Sequence, residues 1–195
     1  MHSAPRKVLF IHHGGGIGGA PVSMLQLAAA LDRERYTPLA LFTENGPILD
    51  LAHELNVPAQ VEDLRSAFFY SAHVPLRLRM LAAFALHFMT TVRGSQRIVR
   101  KLNPSLVHLN TSVLLPVALG IRLAGVPIVW HVREVPGPHP LLRKFQTDII
   151  TRLSDHIVVN SEYVRAAFPR DVDAVVVHNA LELERFNIPE EVSGA

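Results

Sequence analysis

The chain has 195 residues, 49% of them hydrophobic and 18% charged, and contains no cysteine. That length and composition support a sizeable core and exclude a disordered tail, a collagen and a coiled coil; the lack of cysteine excludes disulfides and zinc–thiolate sites and fits a reducing compartment. A formal net charge of only +2 does not indicate nucleic acid.

In chain order, short apolar runs alternate with helix-length segments. Residues 8–11 read as the first strand, and a glycine-rich turn leads to a helix over 21–31, where Val22, Leu25, Ala28 and Ala29 share a face. Strand 38–42, helix 47–55 and strand 59–61 follow. A long helix is expected over 76–102, broken near Gly94, then strand 106–109 and helix 113–124. Strand 128–132, helix 141–153, strand 156–159, helix 162–168 and strand 174–177 complete the series. Most strands are unbroken apolar runs, the pattern of parallel strands covered on both faces. The rhythm implies an α/β, Rossmann-like doubly wound, mostly parallel sheet of about seven strands. Residues 1–180 make this domain, and 181–195 read as a tail or linker leaving it.

Targeting signals are absent from this reading. The apolar run at 8–11 is too short for a signal peptide, and the greasy stretch 80–92 falls short of the roughly 20 residues that span a bilayer. A cytoplasmic location is expected, with peripheral attachment to the inner face of the membrane left open.

Ligands of doubly wound sheets bind beyond the carboxyl ends of the strands, near the point where strand order reverses. The first strand is followed there by His12-His13-Gly14-Gly15-Gly16-Ile17-Gly18-Gly19-Ala20. Glycines admit close approach to backbone amides and a helix N-terminus adds partial positive charge, which suits a phosphate at Gly15, Gly16, Gly18 and Gly19. The plainer reading is a turn needing positive φ, yet five glycines among residues 14–19 exceed what a turn needs. Gly14, Gly16 and Gly19 also fit G-x-G-x-x-G, and Glu44 stands where a nicotinamide site wants an acid, so an NAD(P)-type Rossmann protein is an alternative. No P-loop, nucleophile elbow or His-Glu-x-x-His occurs, which leaves nucleotidase and hydrolase readings without support.

Five further segments carry a resemblance when taken in order. They are Gly18-Gly19-Ala20-Pro21 before the first helix; Pro104-Ser105-Leu106-Val107-His108; Pro127-Ile128-Val129-Trp130-His131; Ser154-Asp155-His156-Ile157 with Ser161-Glu162; and His178-Asn179-Ala180-Leu181-Glu182 running to Phe186. Together they resemble the N-terminal half of glycosyltransferase family 4 enzymes with the GT-B fold. Pro21, Ala180 and Glu182 depart from the family's usual Glu, Gly and Asp. The resemblance implies the acceptor-side domain of a retaining, hexosyltransferase-like glycosyltransferase of polysaccharide or glycolipid biosynthesis. Its donor would be a nucleotide sugar and its acceptor a glycan or lipid-linked molecule, with no metal or other cofactor. The implied partner is a C-terminal donor-binding domain that carries the family's Glu-x7-Glu motif; that domain is not among these 195 residues, so the chain alone is expected to be inactive. A noncatalytic module that pairs with a separate donor domain is a further alternative.

The resemblance assigns His131 the catalytic position, hydrogen bonding to a hydroxyl of the transferred sugar as charge develops. A general-base role is weaker, because a retaining transfer lets the departing phosphate take the acceptor's proton. His12, His13, His108 and His178 also fall near strand ends, where a metal site weighs against ordinary strand-end polarity. The lack of a His-x-His or His-x-x-x-His pair favours the latter. Arg133 and Glu134 suit either acceptor contact or an ion pair, Asn110-Thr111-Ser112 either the cleft or a helix N-cap, and Ser161 either a cap or the cleft. His13 and Asn179 are further cleft candidates.

Charge placement adds one more surface. Between Asp63 and Glu134 there is no acidic residue but nine basic ones, including Arg77, Arg79, Arg97, Arg100 and Lys101. With Phe68-Phe69-Tyr70 and the apolar segment 76–89, they suit an anionic membrane surface or an anionic acceptor. The competing reading packs Leu78, Leu81, Ala85 and Phe88 on the sheet and leaves the arginines in water.

Overall fold

The computed structural model describes residues 4–65, 68, 71, 77–135 and 137–179. The expected tail at 181–195, together with Phe69, Tyr70 and Leu76, lies outside them. Seven strands form one parallel sheet: β1 (Arg6–His12), β2 (Tyr36–Phe42), β3 (Ala59–Val61), β4 (Leu106–Leu109), β5 (Ile128–Val132), β6 (His156–Val159) and β7 (Ala174–Val176). Their spatial order is β3-β2-β1-β4-β5-β6-β7, so the order reverses between β1 and β4. The helices are α1 (Gly19–Ala29), α2 (Ile48–Glu54), α3 (Leu78–Leu102), α4 (Leu115–Leu123), α5 (Pro140–Leu153) and α6 (Glu162–Arg165).

Alternation along the strands divides the core. Val8 and Phe10 join Met24, Leu25 and Ala28 of α1 and Ile48 and Ala52 of α2 on one face. Leu9, Ile11, Val107, Leu109, Trp130 and Val132 face the other way, onto Val99 of α3 and Leu115, Ala118 and Ile121 of α4. Both faces are covered, which is why the strands read as continuous apolar runs. Pro38 is tolerated in β2 because its nitrogen lies on the β3 side, as that of Ala40 does when it donates to Pro58. β3 begins only opposite Ala40, so no ladder acceptor waits at Pro38.

α3 corrects one expectation: it runs unbroken through Gly94. A mid-helix glycine costs only about 1 kcal/mol relative to alanine, and packing against α4 outweighs that. The α3–α4 contact depends on Gly120, where a Cβ would stand 2.0 Å from Ser95 Oγ and 2.3 Å from the Val92 carbonyl oxygen. The N-terminal half of α3 behaves differently. Its buried residues begin only at Thr91, while Leu78 is 83% and Leu86 75% exposed. Leu81 and Ala85 are also exposed and Phe88 is half-buried, so the competing reading that packed these four residues on the sheet fails for Leu78, Leu81 and Ala85. No helix among the described residues is long and apolar enough to cross a membrane.

Candidate active site

The period of two that builds the core also builds the site. Beyond Phe10 the next residue on the α1 face of β1 is His12; on β4 it is His108 and then Asn110; on β5 it is His131 and then Arg133. These side chains therefore meet on one side of the sheet, at the carboxyl ends of the strands that flank the reversal.

Arg133 is the hub. Its Nε donates to Asn110 Oδ1 at 2.7 Å, and its Nη1 donates to Ser23 Oγ of α1 at 3.1 Å and to Asn179 Oδ1 after β7. Its Nη2 lies 3.3 Å from His131 Nδ1. Asn110 Nδ2 in turn reaches the Ala20 carbonyl at 2.9 Å and His12 Nδ1 at 3.2 Å. Asn160 Nδ2 holds the Arg133 carbonyl at 3.1 Å. Glu134 turns elsewhere: it accepts from the Thr111 hydroxyl and, at 2.8 Å, from the Ser112 backbone N–H. Arg133 and Glu134 are thus not the ion pair weighed from sequence.

The N-cap reading of Asn110-Thr111-Ser112 is corrected as well. α4 starts at Leu115 behind Leu114, which has no side-chain acceptor; the Thr111 hydroxyl donates to Glu134 and accepts from the Val113 N–H at 3.5 Å, ahead of the helix. Ser161 does cap α6, accepting from the Val164 N–H at 3.3 Å, and its hydroxyl also reaches Asn160 Oδ1.

The imidazoles are crowded and dry. His108 and His131 rings sit 5.6 Å apart edge to face, and His12 and His13 rings 4.6 Å apart. Burial above all, then the Arg133 charge, lowers His108 and His131 to about 3. Burial, with His13 next, lowers His12 to about 3. Burial also lowers His13, against Glu134 and Glu44, and brings Arg133 down to about 10. His131 Nε2 and His108 Nδ1 are buried with no hydrogen-bond partner. Among the described residues no group of three or more His, Cys, Asp or Glu side chains is disposed to hold a metal ion. His178 is exposed beyond β7.

The glycine turn separates into two kinds of position. Gly14 has a φ of +72° and donates to Thr43 Oγ1 at 3.0 Å. At Gly15 a Cβ would stand 2.4 Å from the Asn45 carbonyl oxygen, so its missing side chain serves the packing of this turn on the loop after β2. Nothing crowds Gly16 or Gly19, and Gly18 meets only Pro21 Cδ at 3.9 Å. α1 begins there with no side-chain cap and no acid in its first turn, so its leading N–H groups are available to an anion. Alongside, His13, Gly14, Thr43, Glu44, Asp63 and Arg65 border a cavity of about 340 Å³.

Sequence reasoning singled out His12, His13, Asn110, Thr111, His131, Arg133, Glu134 and Asn179, and the structure brings them to one end of the sheet. It missed Ser23 and Asn160. Ser23 lies in the second turn of α1, a position from which it faces the strand ends.

A doubly wound parallel domain with a polar cleft at its strand-order reversal and a glycine-lined helix N-terminus belongs with the Rossmann-like halves of GT-B proteins. The chain is a member of Glycosyltransferase Family 4, whose sequence profile matches residues 17–185. No curated protein gives a significant match. HepE of Anabaena in complex with UDP shares the fold at 18% identity and a TM-score of 0.71, over 96% of this chain and 48% of that one. A glycosyltransferase of Rickettsia africae does so at 14% and 0.69, over 98% and 48%. MurG of Acinetobacter baumannii follows at 19% and 0.63, over 91% and 47%. The chain therefore spans about half the length of each of these structures.

Proposed function

We propose that this chain is the acceptor-side half of a retaining glycosyltransferase that moves a hexose-like unit from a nucleotide sugar to a glycan or lipid-linked acceptor. The observation that carries the reading is the buried, unpartnered Nε2 of His131 beside an open glycine turn, in a Family 4 domain. HepE, a neighbour in fold, was solved with UDP and with UDP-glucose, which supports a nucleotide-sugar donor.

In this reading the cleft between the glycine turn and His131 receives the donor from a second domain. The acceptor hydroxyl oxygen bonds to the anomeric carbon as the carbon–oxygen bond to the diphosphate breaks, and the departing phosphate oxygen takes the hydroxyl proton. His131 hydrogen-bonds to the transferred sugar, and the open N–H groups at Gly16, Gly18 and Gly19 face the phosphates. Gly15 shapes the turn. Asn110, Thr111 and Glu134 build the wall on which the acceptor would lie, with His13 at its edge. Family membership favours this chemistry over a nicotinamide cofactor held by Glu44. Half a cleft leaves the donor solvated, so the 195-residue chain alone is expected to turn over little or nothing.

The reading extends to an anionic membrane surface. Arg77, Arg79, Arg97, Arg100 and Lys101 are all exposed, and none takes part in an ion pair among the described residues. A cavity of about 290 Å³ between α3, α4 and α5 is lined by Phe84, Phe88, Leu115, Leu119 and Phe145, with Arg152 among its lining. Apolar side chains next to unpaired cations suit peripheral attachment where a lipid-linked acceptor resides. The test of the catalytic reading is sugar transfer by this chain combined with a donor-binding half. Product formation dependent on His131 supports it, and its absence with every nucleotide sugar tried overturns it.

A further inference from the structure

The hydrogen bonds at the strand-order reversal have a direction, and Arg133 sets it. A guanidinium has five N–H donors and no acceptor, so every group it touches must accept. Asn110 Oδ1 accepts at 2.7 Å and His131 Nδ1 at 3.3 Å. With its oxygen committed, Asn110 presents its amide nitrogen to the Ala20 carbonyl at 2.9 Å and to His12 Nδ1 at 3.2 Å, so His12 Nδ1 accepts as well. A neutral imidazole carries one proton, and a ring whose Nδ1 accepts carries it on Nε2.

We propose that Arg133 is a positioning residue that fixes both His12 and His131 as their Nε2–H tautomers, leaving His131 an N–H donor for a ligand oxygen. The effect on His131 is direct, and the effect on His12 passes through the amide of Asn110. His131 Nε2 is buried with no partner within the protein, so an N–H there is left to be satisfied by a ligand oxygen, a hydroxyl or phosphate oxygen by chemistry. The same assignment bars His131 from acting as a general base through Nε2, since that atom already holds the proton. Burial, which disfavours the imidazolium, keeps both rings neutral and the tautomer meaningful at neutral pH. That the ligand oxygen belongs to a transferred sugar rests on the glycosyltransferase reading; the tautomers do not.

Two-bond proton–nitrogen correlation spectra of the ¹⁵N-labelled 195-residue chain at pH 7 read each tautomer directly. Both His12 and His131 are expected as Nε2–H; either ring found as Nδ1–H, or as an even mixture, overturns the proposal. Arg133→Met keeps the length and removes the donors, so His131 should gain a detectable Nδ1–H population. A folded Arg133→Met chain with unchanged tautomers would refute the role given to Arg133. Should that variant not fold, Asn110→Asp decides. Its carboxylate can only accept, so His12 should switch to donating from Nδ1 while His131 stays Nε2–H; a His12 that does not switch overturns the relay. A chain with the expected spectra whose complete enzyme transfers no sugar would refute the function and leave the tautomer assignment standing, and an active enzyme with Nδ1–H at His131 would do the reverse.

Discussion

Arg133 draws together groups from β1, β4, β5, α1 and the segment after β7, and three neighbouring imidazoles are kept neutral by their burial. Their neutrality has a sign that can be measured. His12, His108 and His131 titrate near 3 in the fold but near 6.5 when unfolded. The unfolded chain therefore binds protons that the folded one refuses as pH falls from about 6.5 to about 3. Stability is present above that window and is lost through it, by about 1.4 kcal/mol per pH unit for each of these histidines. Urea midpoints should drop between pH 7 and pH 5, and removing one of the three by His131→Ala should lower the proton uptake on unfolding at pH 5 by about one. In a complete enzyme His131→Ala should also cut turnover by about 10², the scale of one transition-state contact, with circular dichroism unchanged. The glycines divide in the same way. Gly15→Ala should destabilise the fold, because its Cβ would strike the Asn45 backbone, whereas Gly19→Val should leave the thermal midpoint nearly unchanged and weaken donor binding.

At the scale of elements, α3 has two halves with different duties. Its C-terminal half packs through Thr91, Val92, Ser95 and Val99, and the approach of α4 is set by the bare Gly120. Gly120→Val forces the helices apart and should cost about 1–3 kcal/mol, read as a lowered urea midpoint. The N-terminal half projects apolar side chains beside exposed arginines. Vesicles rich in anionic lipid should pull the chain down in cosedimentation, less so at high salt and less so for Arg77→Glu with Arg79→Glu. Equal binding to neutral vesicles at low salt would leave these arginines as solvated surface. Helix spacing alone did not separate these halves, since a core stripe and an exposed apolar stripe have the same period. Gly94 misled for a related reason: its cost is local and small, while the α4 contact that keeps the helix straight comes from a segment more than twenty residues away.

Across the whole molecule, the parallel sheet was legible because burial on both faces leaves unbroken apolar runs such as Val8 to Ile11 and Leu39 to Phe42, and these do not depend on distant partners. Strand-end residues were legible for the same reason, as His12 follows Val8 to Ile11 directly and His131 follows Ile128 to Trp130. The pairings among them were not. That Arg133 would reach Asn110, Ser23 and Asn179, while Glu134 took Thr111, depends on which strands become neighbours and on which face each side chain leaves. Ser23 and Asn160 went unnoticed because single polar residues in a helix or after a strand carry no pattern of their own.

The claim that this cleft serves sugar transfer is tested most directly by supplying the chain with a donor-binding half, fused or separate, and following nucleotide-sugar turnover together with the anomeric signal of the product. The predicted result is release of a nucleoside diphosphate matched by formation of a glycoside that retains the donor's anomeric configuration, reduced by about 10² in His131→Ala. Tight NAD binding that depends on Glu44, with no glycoside formed from any nucleotide sugar, would contradict it.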